Sequence, residues 1–221
     1  MIVTIDGPAG AGKSTVAREL AGRLGFRVLN TGAMYRAVAW AAAARGVSWD
    51  DAAGLAELAR RLDIRLEENR VLVDGADVTD VIRSAEVTAV THYAANNLGV
   101  REHLVRLQRQ AVGAENFVSE GRDQGTVVFP DAECKIFLTA GPRERARRRL
   151  EDLRAQGQEI PLEIVLDQQS ERDRSDATRS VGPLVRAPDA VELSTDGLSP
   201  TAVVDRLEQI VRQRLGSGRG A

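Results

Sequence analysis

The sequence predicts an α/β fold in which helices flank a parallel β-sheet. Short apolar, β-branched runs alternate along the chain with longer segments of helical periodicity, and this alternation is typical of a parallel sheet. The first run leads through glycines into a helix. One later stretch departs from the alternation, because short runs separated by turn residues predict a small antiparallel insert there. At 221 residues, the chain is long enough for one domain with a full hydrophobic core.

The first part of the chain contains two predicted strands and three predicted helices. Ile2–Asp6 is an apolar, β-branched run and predicts a buried strand. The helix after it is predicted from Val16, Leu20 and Leu24, which recur at helical spacing. The remaining elements are a strand at 26–29, a helix from Thr31 through the alanine-rich stretch to Ala44, and an amphipathic helix at 51–62.

The predicted insert has a different pattern. Its three alternating runs lie at 63–67, 71–73 and 76–78. Turn residues separate them, including Asp74-Gly75, so an antiparallel meander is predicted. We expect residues 63–97 to form an inserted subdomain, and residues 1–62 and 98–215 to form the core.

The parallel-sheet pattern resumes after the insert. Predicted strands lie at 117–119, 135–139 and 191–193, and predicted helices at 100–112, 142–154 and 200–215. A polar break at 156–161 separates two helices, and residues 216–221 are expected to form a flexible tail.

Composition narrows the class of protein. A net charge of −2 argues against nucleic-acid binding as the main function. No apolar run is long enough to span a membrane. The first strand leaves no room for a signal peptide, so we expect a cytoplasmic protein. The single cysteine, Cys134, forms no intrachain disulfide, and a monomer is the default expectation.

A phosphate-binding motif, G-x-x-x-x-G-K-[ST], is present at Gly7–Ser14. A strand precedes it and a helix follows, so backbone N–H groups and the positive end of a helix dipole point at one site. Lys13 is expected to reach the β- and γ-phosphates, and the Ser14 hydroxyl to ligate Mg²⁺. The alternative is a chance glycine-rich turn with a solvated lysine. It does not explain why the motif spacing occurs together with a preceding strand and a following helix. We therefore expect a nucleoside triphosphate bound by Gly7, Pro8, Ala9, Gly10, Ala11, Gly12, Lys13, Ser14 and Thr15.

A first cluster that can select the second substrate is Asn30–Arg36. Thr31 ends the second predicted strand and is expected to cap the next helix, and capping is compatible with a binding role. Tyr35 and Arg36 lie one turn later, where an arginine can clamp phosphate oxygens in a bidentate contact.

A second cluster, Glu120–Thr126, lies at the C-terminal end of a predicted parallel strand. Ligands of such sheets bind outside the carboxyl ends of the strands. Two acids and an arginine between glycines are therefore expected to bind a ligand, with a solvated loop as the alternative.

Two further clusters are rich in arginine. Arg172, Asp176 and Arg179 share one face of a predicted helix, where a salt-bridge ladder explains them as well as a binding role does. The other cluster precedes the polar break. Pairing with Glu144 and Glu151 leaves surplus charge there, as a lid closing over ATP would need. Its arginines are Arg143, Arg145, Arg147, Arg148 and Arg149.

Four segments together carry a family resemblance. They are Gly7–Lys13, Thr31–Arg36, Gly121–Ala132 and Glu171–Asp173. In this order, and over almost the whole chain, they closely resemble the bacterial cytidylate kinase family. The resemblance implies a P-loop kinase fold whose insert binds the monophosphate and whose short lid lies near 154–162. It also implies transfer of the γ-phosphate of ATP, with Mg²⁺, to CMP or dCMP.

The resemblance also implies roles for individual residues. It puts Tyr35, Arg36, Arg122 and Arg179 around the CMP phosphate, Arg101 and Asp123 at the base, Arg172 and Asp176 at the sugar, and Thr31 and His92 in the same site. It makes Lys13, Arg122, Arg172 and Arg179 the catalytic residues and adds Arg148 to the ATP site. The residue types support the base contacts, because a carboxylate accepts from the amine of cytosine and an arginine donates to N3 or O2. The carbonyl of uracil would instead oppose Asp123.

Three positions depart from the family's pattern. Glu120 stands where aspartate is common and is expected to reach Mg²⁺ through water. Gln124 replaces a usual aliphatic residue, and little effect is expected. His92 replaces a base-contacting serine with a larger side chain, so pyrimidine selectivity is the property that it puts in question.

Two alternatives stay open. Another small-molecule kinase on the same scaffold would act on UMP, dTMP or shikimate, and the insert and the Asp123 cluster favour cytidine over these. A nucleotide switch that signals through partners would carry a guanine-reading N-K-x-D segment, which the sequence lacks.

Overall fold

The computed structural model describes residues 1–67, 70–155 and 157–217. Their contacts divide the chain into two compact units. One is built from Met1–Val28 together with the residues from Asn116 onward, and the other from Leu29–Glu115. The division falls within the second strand of the chain.

The secondary structure of the described residues follows the predicted alternation. The strands are β1 (Ile2–Asp6), β2 (Arg27–Asn30), β3 (Ile64–Leu66), β4 (Val71–Val73), β5 (Ala76–Asp77), β6 (Phe117–Gly121), β7 (Cys134–Thr139) and β8 (Val191–Ser194). The α-helices are α1 (Lys13–Leu24), α2 (Thr31–Ala44), α3 (Ala52–Arg61), α4 (Ala85–Asn96), α5 (Leu98–Val112), α6 (Pro142–Ala155), α7 (Leu162–Thr178) and α8 (Pro200–Ser217). A 3-10 turn spans Val81–Arg83, and a π-helical turn spans Gln124–Val128.

The large sheet has the strand order β2-β6-β1-β7-β8. Strand β1 pairs in parallel with β6, with Ile2 opposite Phe117, and with β7, with Val3 opposite Cys134. Strand β7 pairs in parallel with β8. Because these strands are parallel, the segments that follow their carboxyl ends lie along one edge of the sheet, where ligands of such sheets bind.

The core of the first unit lies where helices α1 and α8 pack against β1 and its neighbours. Ile5 of β1, Leu20 of α1 and Leu207 of α8 are fully buried. A strand buried in this way needs a continuous apolar run, which explains the composition of β1. A smaller cluster joins α6 and α7 through Leu150 and Val165.

The second unit contains helices α2 to α5 and a three-stranded antiparallel sheet in the order β3-β4-β5. Its core includes the alanine-rich α2, in which Ala37, Ala39 and Ala41 are fully buried. These small side chains let neighbouring helices approach closely, and Leu55 and Leu104 belong to the same cluster.

This architecture confirms the predicted fold class, a parallel sheet flanked by helices with a small antiparallel sheet. Helix α4 is not among the predicted elements, because the alternating runs before it predict strands only. The sequence nevertheless marks this helix. Val87, Thr91 and Ala94 are buried at helical spacing, and the Ser84 side chain caps the helix by accepting a hydrogen bond from the Val87 N–H at 3.3 Å.

The second compact unit extends from Leu29 to Glu115 and is therefore longer than the predicted insert. The subdomain at 63–97 and the lid near 154–162 stay predictions. Three of their residues lie outside the described part of the chain: Glu68, Asn69 and Gln156.

Helix α8 continues to Ser217, so the first two residues of the predicted tail are helical. The rest of that tail, 218–221, lies outside the described residues. None of the helices within the described ranges is both long enough and apolar enough to cross a membrane.

Candidate active site

The phosphate-binding motif forms the loop between β1 and α1. Helix α1 begins at Lys13, and Gly12 precedes it at φ 89° without a side-chain cap. The N–H groups of the first helical turn therefore face the loop rather than a capping side chain. Gly7 has no room for a side chain, because a Cβ there would stand 2.0 Å from the Leu138 carbonyl oxygen on β7. The loop is thus pressed against the neighbouring strand.

The Lys13 side chain lies inside this loop. It is only 6% exposed, and its Nζ donates to the Pro8 carbonyl oxygen at 2.8 Å. Burial, followed by the positive charge of Arg122, lowers the pKa of Lys13 from 10.5 to about 7, while Glu120 opposes this shift. The loop therefore holds a poorly solvated amine whose charge an anion would stabilise.

Ser14 and Glu120 form an oxygen-rich pair beside the loop. The Ser14 hydroxyl donates to a Glu120 carboxylate oxygen at 2.8 Å, and Glu120 is buried on β6. Hydroxyl and carboxylate oxygens are ligands that suit Mg²⁺, which commonly completes its shell with water and substrate phosphates. Among the described residues, no group of three or more His, Cys, Asp and Glu side chains could hold a metal. Ser14 and Glu120 together present the kinds of oxygen donor that a magnesium site uses.

Asp6 connects β1 to the segment after β6. Its two carboxylate oxygens accept hydrogen bonds from the backbone N–H groups of Gln124 at 2.9 Å and Gly125 at 2.8 Å. Burial raises the pKa of Asp6 to about 6, against the lowering effect of these hydrogen bonds. Asp6 thereby fixes the start of the π-helical turn directly after Arg122 and Asp123.

Gln124 has a more specific role than the sequence predicts. Its side chain is buried, and its Oε1 accepts a hydrogen bond from the Ser119 hydroxyl at 2.7 Å. An aliphatic side chain cannot accept this bond. The expectation that the replacement has little effect stays a prediction, and this bond, which closes the loop that carries Glu120, Arg122 and Asp123, is the contact that such an effect would act through.

Asp176 is the centre of an ion-pair network near the end of α7. One of its oxygens lies 2.8 Å from Nε of Arg122, and the other lies 3.6 Å from Nη1 of Arg179. Arg179 also approaches the Asp123 carboxylate at 3.9 Å. Burial alone would raise the pKa of Asp176, but Arg122, Arg172 and Arg179 hold it below its ordinary value. Four predicted site residues are thus joined in one partly buried network, and the pair of Asp176 with Arg179 belongs to the expected salt-bridge ladder.

Helix α7 also carries an ion pair outside this network. Arg174 forms an ion pair with Glu171 on the exposed face of α7. Arg172 is half-buried, and its charge contributes to the lowered pKa values of both Lys13 and Asp176. Arg172 therefore belongs electrostatically to the phosphate loop and to the network around Asp176.

The five arginines of the predicted cluster on α6 do not act as one group. Arg148 bonds to Thr195 through the side-chain oxygen at 2.9 Å and through the carbonyl at 3.1 Å. A Cβ on Gly12 would lie 3.8 Å from Arg148, so Arg148 adjoins the phosphate loop. Arg147 is exposed and paired with Glu144 and Glu151. The surplus of charge predicted for a lid is smaller than expected, because Arg145 is also buried and fully engaged.

In the second unit, the first cluster begins with a different cap from the one predicted. Asn30, not Thr31, caps α2, and its side-chain oxygen accepts from the Ala33 N–H at 3.1 Å. Thr31 is the first helical residue and is buried. Asn30 is the better cap because its amide oxygen reaches the third residue beyond it.

Arg36 is held by the segment before α4 and by α4 itself. Its Nη1 donates to the Thr88 hydroxyl at 2.6 Å and to the Ile82 carbonyl at 3.2 Å. These bonds fix the direction of the guanidinium group.

Arg101 stacks on Tyr35 within the same unit. The guanidinium carbon of Arg101 lies 5.4 Å from the centroid of the Tyr35 ring, in cation–π contact. Arg101 is almost fully buried, and its Nη1 donates to the Ala95 carbonyl at 3.2 Å. The structure therefore brings together two of the residues predicted to bind the monophosphate.

His92 lies on the exposed face of α4 in a short row of rings. Its centroid is 4.0 Å from the Tyr93 ring, and Tyr93 stacks on Trp49 at 5.1 Å. The Nδ1 of His92 lies 2.8 Å from the Ala89 carbonyl oxygen. Because a carbonyl only accepts, Nδ1 carries the proton, and Nε2 of the neutral ring is an acceptor.

Comparison with known proteins decides the family. A sequence model described as cytidylate kinase matches residues 3–213. The chain belongs to the cytidylate kinase family. A cytidylate kinase of Rhodopirellula baltica is 46% identical over 213 residues, which are 96% of this chain and 93% of that protein. A cytidylate kinase of Geobacter sulfurreducens is 46% identical over 225 residues, covering 100% of this chain and 97% of that protein.

Longer proteins also contain a cytidylate kinase segment similar to this chain. A bifunctional pantoate ligase/cytidylate kinase of Synechococcus sp. strain JA-2-3B'a(2-13) is 48% identical over 221 residues. This match covers 97% of this chain and 41% of that protein. Among solved structures, TT1252 from Thermus thermophilus aligns with a TM-score of 0.52 at 19% identity, covering 97% of each chain. At this identity the likeness supports the fold alone.

For this member of the cytidylate kinase family, the predicted site residues fall into two sets. In the first unit they are Gly7, Pro8, Ala9, Gly10, Ala11, Gly12, Lys13, Ser14, Thr15, Glu120, Arg122, Asp123, Arg148, Arg172, Asp176 and Arg179. In the second unit they are Thr31, Tyr35, Arg36, His92 and Arg101. Sequence reasoning missed several residues that support the first set. Asp6 is the one with a sequence signal, an acid at the end of a buried strand just before the phosphate loop.

Proposed function

We propose that this chain transfers the γ-phosphoryl group of ATP to CMP and dCMP, giving ADP with CDP or dCDP. One observation carries the proposal beyond family membership. Lys13, which opens α1, is electrostatically coupled to Glu120, Arg122 and Arg172 of the predicted transfer site. A phosphate loop joined to a set of inward arginines is what phosphoryl transfer needs, because the transition state spreads negative charge over the equatorial oxygens.

The loop Gly7–Thr15 binds the phosphates of ATP, and Arg148 contributes from α6. Backbone N–H groups at the start of α1 cradle the phosphates, and Lys13 leaves its bond to the Pro8 carbonyl for a phosphate oxygen. The ammonium group gains from this exchange, since a neutral carbonyl only partly offsets its burial.

Ser14 and Glu120 would hold Mg²⁺, with Glu120 acting directly or through water. The bound ion would supply positive charge to the nucleotide phosphates. The chain's part is to fix the two ligands relative to each other, and the 2.8 Å bond between them supports this role.

The predicted CMP ligands of the second unit are Thr31, Tyr35, Arg36, His92 and Arg101, and those of the first unit are Arg122, Asp123, Arg172, Asp176 and Arg179. Arg36, Arg122 and Arg179 neutralise the CMP phosphate. Asp123 accepts from the cytosine amine, and Arg101 donates to N3 or O2. Tyr35 supports Arg101 through the cation–π contact.

The transfer step needs no strong general base, since the acceptor is already an anion at neutral pH. Catalysis then comes from holding donor and acceptor in line while Lys13, Arg122, Arg172 and Arg179 stabilise the transferred group. In this account residues 63–97 form the monophosphate-binding subdomain, and a lid near 154–162 excludes water. The enzyme is a cytoplasmic monomer that acts on nucleotides and has no nucleic acid or membrane as partner.

The test is a coupled assay of ADP release from Mg·ATP with CMP, dCMP, UMP, AMP, GMP, dTMP or shikimate as acceptor. We expect turnover with CMP and dCMP well above the rest. Strong UMP turnover would assign altered selectivity to His92, and turnover with none of the seven would refute the kinase function. In the same assay, Arg36→Ala should raise the KM for CMP more than the KM for ATP. An unchanged KM for CMP would remove Arg36 from the site.

A further inference from the structure

Arg145, on helix α6, is a buried cation that the transfer chemistry does not use. It is only 5% exposed. Its Nε donates to the Ala140 carbonyl at 2.9 Å and its Nη1 to the Ala9 carbonyl at 3.0 Å, while Nη2 lies 2.7 Å from a carboxylate oxygen of Asp173. Every guanidinium nitrogen is therefore engaged. Burying such a charge is costly, so this arrangement calls for an explanation beyond packing.

The contacts of Arg145 join three parts of the first unit. Ala9 lies in the phosphate loop, Ala140 directly follows β7, and Asp173 lies on α7. The backbone of Arg145 takes part as well, because its carbonyl accepts from Nε2 of Gln169 at 3.1 Å. A Cβ on Gly10 would stand 3.0 Å from Cβ of Arg145. Arg145 thus supports the loop from behind, through both its side chain and its backbone.

Asp173 gives this support a second consequence. It is adjacent in sequence to Arg172, and Asp176, the centre of the ion-pair network, follows less than one turn later. Holding the Asp173 carboxylate fixes the rotation of α7 about its axis. Arg145 therefore connects the loop that carries Lys13 to the helix that carries Arg172.

We propose that Arg145 is a positioning residue, which holds the phosphate loop through Ala9 and helix α7 through Asp173, so that Lys13 and Arg172 act on the same transferred phosphate. The proposal rests on the proposed function only in taking the ligand of the loop to be ATP. Arg145 reaches its three acceptors from three separate nitrogens of a planar group, whereas all three donors of a lysine lie on one nitrogen. Arg145→Lys therefore keeps the charge and loses the geometry.

The expected effect follows from the sensitivity of phosphoryl transfer to alignment. Displacing a reacting group by about 1 Å lowers the rate by about 100-fold. For Arg145→Lys and Asp173→Asn we expect kcat to fall about 10- to 100-fold. In Arg145→Lys, the KM for ATP should rise as well, because Ala9 loses its support. The KM for CMP should rise by a smaller factor than the KM for ATP, because Arg145 contacts the ATP loop directly and reaches the predicted CMP ligands only through Asp173 on α7.

The experiment begins with calorimetric binding of ADP in the absence of CMP, followed by steady-state kinetics with ATP and CMP. Arg212→Lys is the matched control, since Arg212 is an exposed arginine of α8 paired with Glu208 at 2.7 Å. Thermal unfolding checks each variant for folding, and Asp173→Asn decides the question if the Arg145 variant does not fold. The double variant should be no worse than Arg145→Lys alone, because both changes break the same connection.

Two results would overturn the proposal. The first is that Arg145→Lys keeps the ADP affinity and both KM values of the wild type, while its kcat falls only in proportion to the amount of folded protein. A merely structural role of Arg145 predicts this result. The other is strict additivity of Arg145→Lys and Asp173→Asn. If the wild type binds ADP but does not phosphorylate CMP, the proposed function fails, while the ADP affinities of the variants still test Arg145.

Discussion

Lys13 should titrate near neutral pH in the ligand-free protein and stay protonated once ADP is bound. Its ammonium group is buried in the phosphate loop, bonded to one carbonyl oxygen, with Arg122 and Arg172 nearby. Burial is the largest cause of its lowered pKa of about 7, and Arg122 the next. Bound phosphates supply the negative charge that this site lacks, so they should raise the pKa again.

The size of the effect follows from this pKa. At about pH 8, roughly one Lys13 in ten is protonated, so binding of ADP should take up about 0.9 proton. Above neutrality, the apparent affinity for ADP should fall about tenfold per pH unit. The ligand-free folded protein binds fewer protons than the unfolded chain between pH 7 and 10.5. The contribution of Lys13 to the free energy of unfolding should therefore rise with pH across that window, by an amount on the order of 5 kcal/mol.

The assay is NMR of protein labelled at lysine Cε, titrated with and without ADP. Lys13 and Lys135 are the only lysines of the chain, so the spectrum holds two lysine signals and Lys135 is the internal reference. Lys13→Met assigns the signal by removing it. We expect one signal with a midpoint near 7 that ADP moves upward. A Lys13 midpoint near the ordinary lysine value in ligand-free protein would refute the reasoning, as would a midpoint that ADP leaves unchanged.

Three further predictions concern residues around the site. Ser119→Ala or Gln124→Met alone should lower the free energy of unfolding by about 1–3 kcal/mol and raise the KM for CMP. The double variant should lose less free energy of unfolding than the sum of the two single losses. Additive losses in urea unfolding would contradict this. The folded-state pKa of Asp6 is raised from 3.8 to about 6, so the folded protein binds more protons than the unfolded chain in that window, and stability from Asp6 falls as pH rises. As the pH rises from 3.8 to 6, the free energy of unfolding of Asp6→Asn should therefore increase by on the order of 3 kcal/mol relative to that of the wild type. A difference in stability that stays constant with pH would contradict this. His92→Ser should raise the preference for CMP over UMP about three- to tenfold, because a serine hydroxyl can donate to cytosine N3, whereas His92, whose Nδ1 donates to the Ala89 carbonyl, offers only an acceptor at Nε2. Equal ratios of kcat/KM before and after the change would show that His92 does not set selectivity.

The fold was predictable because its signals are local. The run of β1, the glycines and the apolar spacing of α1 follow one another directly, and together they define the phosphate loop. The other parallel strands show the same apolar runs. Helix α4 was not predicted, because it follows three strand-like runs. Its sequence nevertheless indicates a helix through the capping residue Ser84 and the helical spacing of its buried residues.

The candidate site was predictable where its residues are contiguous or share a helical face. Lys13 and Ser14 are contiguous, and Asp176 and Arg179 share a helical face. The contacts that support the site could not be predicted, because they join residues that are far apart in the chain. Arg145 reaches Ala9 across 136 positions, and a side chain bonded to a backbone carbonyl leaves no mark on the residue type at the other end.

The same limitation explains why the surplus of charge on α6 is smaller than the sequence suggests. A run of arginines on a helix indicates surplus positive charge only if its members face solvent. Burial and the long-range carboxylate of Asp173 remove Arg145 from that surplus, and Glu144 and Glu151 remove Arg147. Helical spacing predicts the second of these pairings but not the first.

The most direct test of the central claim is the fate of the labelled phosphate when γ-labelled ATP is incubated with Mg²⁺ and CMP. The account predicts label in CDP for the wild type, none above background for Lys13→Met, and far less in UDP when UMP replaces CMP. Label that appears only as inorganic phosphate, or remains in ATP while the protein binds nucleotide, would contradict phosphoryl transfer to CMP.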